Sequence, residues 1–335
     1  MPRSDREISF HLDVPHADVP HARAPDAAVE AIRGRSTPRA PIPADLAFRC
    51  ELTTPIRAVL FDVYGTLFVS GSGDVGTARK QGDPEHFARA VRDVVPRLLP
   101  PSLEGTAHRD LGVTARDAYF EEIARSHDTS RQAGVDHPEV DVRTVWKSVC
   151  RRITERGFLR ALPDAEQIEL LAVSYELESN PTWPMPEAEE ALARLRGAGI
   201  PLGIVSNAQF FTPLLFEALL HATIRELGFD EELCVYSYQE GRAKPSEKLF
   251  GGPLSRLRAA YGILPGEVLY VGNDMKNDIR TAERAGCKAC LFAGDRRSLR
   301  VRAEDSEAAR TRPDAVITTL GELDRVLSLG GTAHA

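Results

Sequence analysis

The chain has 335 residues, 42% of them hydrophobic and 27% charged, so it is long enough for about two globular domains and is neither fibrous nor compositionally disordered. Its net charge of −7 has the wrong sign for a protein that neutralises a phosphate backbone, which argues against nucleic acid as a partner. Five cysteines are too few and too scattered for a disulfide scaffold, no run reaches the ~18 apolar residues of a membrane span, and the polar start lacks a signal peptide's apolar stretch. A cytoplasmic protein that does not enter a membrane is expected.

Residues 1–54 are rich in proline, alanine and arginine without helical or strand periodicity, and are expected to form a disordered or loosely packed extension. His11, His16 and His21 recur every five residues, which matches no single face, so they read as solvated. At Ala58-Val-Leu-Phe61 the character changes to a buried parallel strand ended by Asp62. Residues 76–181 then lack strand alternation and carry four amphipathic stretches, Phe87–Leu99, Ala115–Ser126, Val140–Ile153 and Asp164–Leu177. They read as an all-helical insertion into an α/β core formed by 55–75 and 182–330.

Later apolar runs at Leu202–Val205, Leu233–Tyr236, Val268–Val271, Ala289–Phe292 and Ala315–Thr318 alternate with helical patterns that end on Gly197, Gly228, Gly262 and Gly286. This alternation predicts a doubly wound, mostly parallel Rossmann-like sheet. Cys287 and Cys290 form a CxxC pair, but they border an apolar strand and lack a second pair, so inert core thiols are expected.

In such a sheet, ligands bind beyond the C-terminal strand ends. There the sequence supplies Asp62, then Ser206-Asn207, then Lys244, then Gly272-Asn-Asp274 with Asp278 four residues on. Singly these are turn and capping residues. Together they collect a nucleophilic carboxylate, a hydroxyl and amide, an ammonium and two more carboxylates. Lys244 is one of only six lysines against 36 arginines.

With the motifs Phe61-Asp-Val-Tyr-Gly-Thr-Leu67, Ile204-Val-Ser-Asn207, Ala243-Lys-Pro245 and Val271-Gly-Asn-Asp-Met-Lys-Asn-Asp278, the chain resembles the haloacid dehalogenase superfamily over about residues 56–325. The resemblance implies that the helical insertion is a cap. It makes Asp62 the nucleophile, has Ser206 and Asn207, with Thr66, bind the transferred group, and has Lys244 offset the developing charge. It also implies Mg²⁺ held by Asp62, the Tyr64 carbonyl and Asp274 or Asp278, and a small phosphorylated metabolite as substrate.

Two positions depart from that pattern. Tyr64 stands where the family's phosphatases carry a second aspartate as general acid and base, and Asn273 where the metal-binding aspartate follows glycine. A tyrosine in that slot resembles the metal-independent 2-haloacid dehalogenases, since halide leaves without a proton. A catalytically inactive protein that binds a ligand or partner is the third reading. Gly71-Ser-Gly-Asp-Val-Gly76 satisfies a dinucleotide pattern but opens no helix, so it reads as a flap. Arg79, Lys80, His86, Arg89 and Arg92 in the insertion, and Arg296, Arg297, Arg300 and Arg302 near the end, read as solvated faces.

Overall fold

A computed structural model describes residues 26–71, 82–101 and 106–329. The three tail histidines, Arg79, Lys80 and the flap after Gly71 lie outside them. In chain order the elements are α1 (Asp26–Arg35), β1 (Arg49–Cys50), β2 (Ala58–Phe61), β3 (Phe68–Ser70), α2 (Pro84–Val94), α3 (Thr106–Gln132), α4 (Val142–Glu155) and α5 (Ala165–Ser179). They continue with β4 (Thr182–Pro184), α6 (Ala188–Gly197), β5 (Leu202–Ser206), α7 (Thr212–Leu219), β6 (Phe229–Tyr236), α8 (Ser237–Glu240) and α9 (Gly251–Tyr261). The chain then forms β7 (Val268–Gly272), α10 (Arg280–Arg284), β8 (Lys288–Phe292), β9 (Ala315–Ile317) and α11 (Leu323–Val326).

Seven strands form one sheet in the order β1-β9-β8-β7-β2-β5-β6, parallel throughout except for β1 against β9. The first strand of the core thus lies near the middle, paired on one side with β5 and on the other with β7. Alternation along β2 explains why it is apolar at every position: Val59 and Phe61 enter one core cluster, while Ala58 and Leu60 enter the other, on the opposite face.

The four helices α2 to α5 stand between β3 and β4, which pair with each other in a two-stranded antiparallel sheet. Phe87, Tyr119, Trp146 and Tyr175, one from each helix, pack ring against ring with centroids 4.2 to 5.9 Å apart. The helix starts follow local chemistry: Asp83, Asp141 and Asp164 each accept a backbone N–H at the start of α2, α4 and α5.

Residues 26–50 differ from the loose extension expected over 1–54. Ala28, Val29 and Ile32 of α1 are buried. Arg35 donates to Ser174 Oγ at 2.5 Å and to Glu178 Oε1 at 2.8 Å on α5, and Arg33 Nε donates to the Ala218 carbonyl of α7 at 3.4 Å. One short helix therefore joins the insertion to the core. Beyond it, Ile42 N donates to Asp295 Oδ1 at 3.0 Å and accepts through its carbonyl from Arg296 N at 2.7 Å, before β1 adds to the sheet edge. The periodicity was hidden because only three small or medium apolar residues of α1 face inward.

Replacing Ile32 with alanine is expected to cost about 2–5 kcal/mol, measured by urea unfolding, since the side chain is buried between α5 and α7. Beneath α1, Glu176 borders a small cavity lined by Ile32, Tyr64, Val173, Leu177, Phe211 and Leu215. Burial pushes its carboxyl up to about 7, against the ordinary 4.5, and Asn180 offsets this only in part. An acid whose folded pKa is raised contributes most at low pH, and that contribution is lost as pH rises from about 4.5 to about 7. Glu176→Gln is accordingly expected to raise the melting temperature at pH 8 and to leave it unchanged near pH 4, a difference that thermal unfolding at the two pH values measures.

Candidate active site

Asp62 directly follows β2, and its backbone N–H donates to the Val271 carbonyl of β7 at 2.9 Å, which holds the carboxylate at the sheet edge. Ser206, the last residue of β5, donates to Asp62 Oδ1 at 2.8 Å. Lys244, in the loop after α8, donates to the same oxygen at 2.7 Å, to Asp278 Oδ1 at 2.5 Å and to the Tyr270 hydroxyl at 2.8 Å. All three ammonium protons are thereby matched in a buried setting. Burial opposes the charge on Lys244, but Asp278 and Asp62 outweigh it and hold the ammonium above the usual lysine range. Among the described residues neither Ser206 nor Lys244 engages Asp62 Oδ2, so that oxygen is available for attack.

Asn207 is engaged differently from the expectation that it binds the transferred group. Its side-chain oxygen accepts from Lys244 N at 2.7 Å and its amide donates to the Lys244 carbonyl at 3.3 Å. It fixes the backbone from which the lysine projects. Thr66 is fully buried, with its hydroxyl 3.5 Å from Asn273 Oδ1. Gly65 before it has φ +83°, and a Cβ there would stand 2.4 Å from Asn273 Nδ2, so only glycine allows this close approach.

Tyr64 turns its phenol into the core, where the hydroxyl lies 2.9 Å from Thr212 Oγ1 at the start of α7. Burial, followed by the charge of Glu176, raises the phenol well above the ordinary tyrosine value. The side chain is thus a poor proton carrier at neutral pH.

The two carboxylates expected to complete a Mg²⁺ site are committed elsewhere. Asp278 Oδ2 accepts the backbone N–H groups of Asn273 and Asp274 at 3.0 and 2.9 Å, while Oδ1 holds Lys244. Burial raises its carboxyl, with Lys244 opposing. Gly272 allows this fold-back, since a Cβ there would lie 2.5 Å from Asp278 Cβ. Asp274 caps the next turn by accepting from Lys276 N at 2.8 Å and Asn277 N at 3.1 Å, and it takes Arg302 Nη2 at 2.6 Å on Oδ2. Asn273, the neutral residue after Gly272, spends its amide N–H on the Ser298 carbonyl at 2.6 Å. Among the described residues, no three His, Cys, Asp or Glu side chains are grouped to hold a metal ion. Mg²⁺ keeps several waters and takes one or two carboxylates besides substrate oxygens, and of the expected carboxylates Asp62 is the one whose Oδ2 these side-chain bonds leave open.

Arg302 does not lie on the expected solvated face but is drawn in against Asp274. A bridge between Asp274 and Arg300 brings the segment to the site, through Met275 N to the Arg300 carbonyl at 2.8 Å and Arg300 N to the Asn273 carbonyl at 2.9 Å. Arg297 likewise pairs with buried Asp295 at 3.0 Å. Tyr270 joins the Lys244 cluster without a local sequence signal. It is an aromatic inside a strand, and its hydroxyl accepts from Lys244 and donates to the Val205 carbonyl at 2.6 Å. In the insertion, Arg89 was expected on a solvated face; it stays partly exposed but pairs with Glu178 at 2.8 Å. The five cysteines are free thiols, with Cys287 and Cys290 buried and pushed upward by burial.

Comparison with known proteins adds three kinds of similarity. A ribulose-1,5-bisphosphate 5-phosphatase of Halopiger xanaduensis is 30% identical over 146 residues, 43% of this chain and 56% of that protein. A phosphoserine phosphatase of Thermus thermophilus is 31% identical over 190 residues, 56% of this chain and 68% of that protein. The chain thus spans little more than half the length of the first of these relatives. A solved phosphatase from Thermococcus onnurineus superposes over 81% of this chain and 98% of its own, at 20% identity and a TM-score of 0.47. The model of one family, haloacid dehalogenase-like hydrolase, matches residues 56–286, from the strand that ends at Asp62 through the fourth motif, and the chain belongs to that family.

Proposed function

We propose that the protein is a hydrolase that transfers a phosphoryl group from a small phosphorylated metabolite to Asp62 and then to water. The observation that carries this reading is the polarised Asp62 carboxylate, with Oδ1 held by Ser206 and Lys244 and Oδ2 free of both. Oδ2 attacks phosphorus, the ester bond to the leaving oxygen breaks, and the aspartyl phosphate is then opened by water. Lys244 remains beside the nucleophile to offset charge on the transferred group. The phosphatase relatives support phosphorus as the reacting centre. In this reading helices α2 to α5 act as the cap that excludes water.

Tyr64 constrains the leaving group. With its phenol bonded to Thr212, it supplies no proton to a departing alkoxide. Substrates that release a weakly basic oxygen, such as acyl phosphates and anhydrides, therefore suit the site better than simple alkyl esters. The same argument favours halide departure, so metal-independent cleavage of 2-haloacids is the second reading. The capture of Asp274 by Arg302 supports independence from metal in either case.

Phosphate release from a metabolite panel and halide release from 2-haloacids are the paired assays. Phosphate release is expected, reduced at least ~10³-fold by Asp62→Asn, and unchanged within about threefold by chelation. Halide release without phosphate release would select the second reading, and loss of turnover on chelation would reject the metal-independent site. Among aryl phosphates, 4-nitrophenyl phosphate is expected to exceed phenyl phosphate by roughly 10²- to 10⁴-fold in kcat/KM, because no acid protonates the leaving oxygen. Equal rates would identify a proton donor the site is argued to lack.

A further inference from the structure

The loop that carries Lys244 is held from outside the sheet by the linker between α3 and α4. Asp136 Oδ2 accepts from Ser246 Oγ at 2.8 Å, and its Oδ1 pairs with Arg242 Nε at 2.8 Å and, more distantly, with Lys248 Nζ at 3.9 Å. The backbones join as well: Ala243 N donates to the His137 carbonyl at 2.7 Å, and Glu139 N donates to the Gly241 carbonyl at 3.1 Å. Pro138 and Arg242 form an antiparallel bridge between these bonds.

The same linker reaches the loop after β5. Gln209, itself buried, accepts from Val142 N at 3.1 Å and donates to the Val140 carbonyl at 2.9 Å. Ser237 Oγ donates to Glu139 Oε2 at 3.1 Å while accepting from Ala208 N at 2.9 Å. Residues 136–142 therefore bind both loops that meet through the Asn207–Lys244 pair. The helical linker and the catalytic lysine share one hydrogen-bonded unit.

We infer that Asp136 is a positioning residue, and that the linker 136–142 clasps the Lys244 loop so that the ammonium stays aimed at Asp62. The inference rests on the proposed role of Lys244 for its consequence in turnover, but not for its structural content. Four contacts between the linker and the Lys244 loop, two through Asp136 and two between backbones, run along Gly241–Ser246, so releasing them frees the backbone on both sides of the lysine. The hydrogen bond to buried Ser246 carries more of this than the ion pairs, because Asp136 is half exposed and surface pairs contribute little.

Two measurements on the full chain test it. The first is acylation of lysines by a water-soluble succinimidyl ester, read by mass spectrometry and normalised to Lys147 and Lys288. In the native protein Lys244 should label far more slowly than these. Asp136→Ala is expected to raise its labelling about tenfold, with faster hydrogen exchange in 239–248. Ser246→Ala, which removes the other half of the same bond, is expected to do likewise and serves if the first variant fails to fold.

The second is steady-state turnover: kcat should fall about 10- to 100-fold in Asp136→Ala with KM within threefold, and Asp136→Asn, which keeps an oxygen for Ser246, should recover most of it. Unchanged labelling and exchange would overturn the clasp, as would a loss confined to KM. Labelling needs no turnover, so a clasp that responds in a protein releasing neither phosphate nor halide would reject the proposed function and leave the clasp standing.

Discussion

A single buried ammonium organises this site. Lys244 sits between Asp62 and Asp278 with its third proton on Tyr270, so it joins the residue after β2 to β7 and the turn that follows β7. A buried charge is costly unless it is paired and fully hydrogen-bonded, so the lysine cannot be lost without stranding two carboxylates. That constraint explains the neighbouring details. Gly272 clears room for Asp278, Asn207 fixes the lysine backbone from both sides, and Tyr270 occupies the interior of a strand with its hydroxyl bonded to Val205.

The remaining charge is balanced locally. Asp274, which by position belongs to the acidic edge, is drawn to Arg302 and to the start of the following turn. The side chains that donate to Asp62 are therefore Lys244 and Ser206, both on Oδ1. The composition that raised Mg²⁺ as an expectation is real, but hydrogen bonding redistributes it.

The insertion is tied to the core at several separate places. The antiparallel β3–β4 pair closes its base, α1 bridges α5 and α7, and the α3–α4 linker grips the loops after β5 and α8. Different kinds of interaction are used: a short ladder, a buried apolar helix face with arginine contacts, and backbone bonds supplemented by Asp136. The last of these bears directly on the partners of Asp62, because it acts on the segment that carries Lys244.

Much of this was legible in the amino-acid order. Fully apolar runs such as Ala58–Phe61 and Val268–Val271 reveal strands buried on both faces, and the residues that end them mark the edge where chemistry occurs. These signals are local, so the sequence by itself determines the parallel core and the helical insertion, and it marks Asp62, Ser206 and Lys244, which the structure brings into contact at one sheet edge. Partner choice is not local. Arg302 lies 28 residues from Asp274, and Asp136 lies 110 residues from Ser246. Which oxygen each carboxylate offers, where Tyr64 points, and that α1 belongs to the packed body were decided only when distant segments met, because hydrogen-bond geometry exists between atoms in space and leaves no periodic trace along the chain.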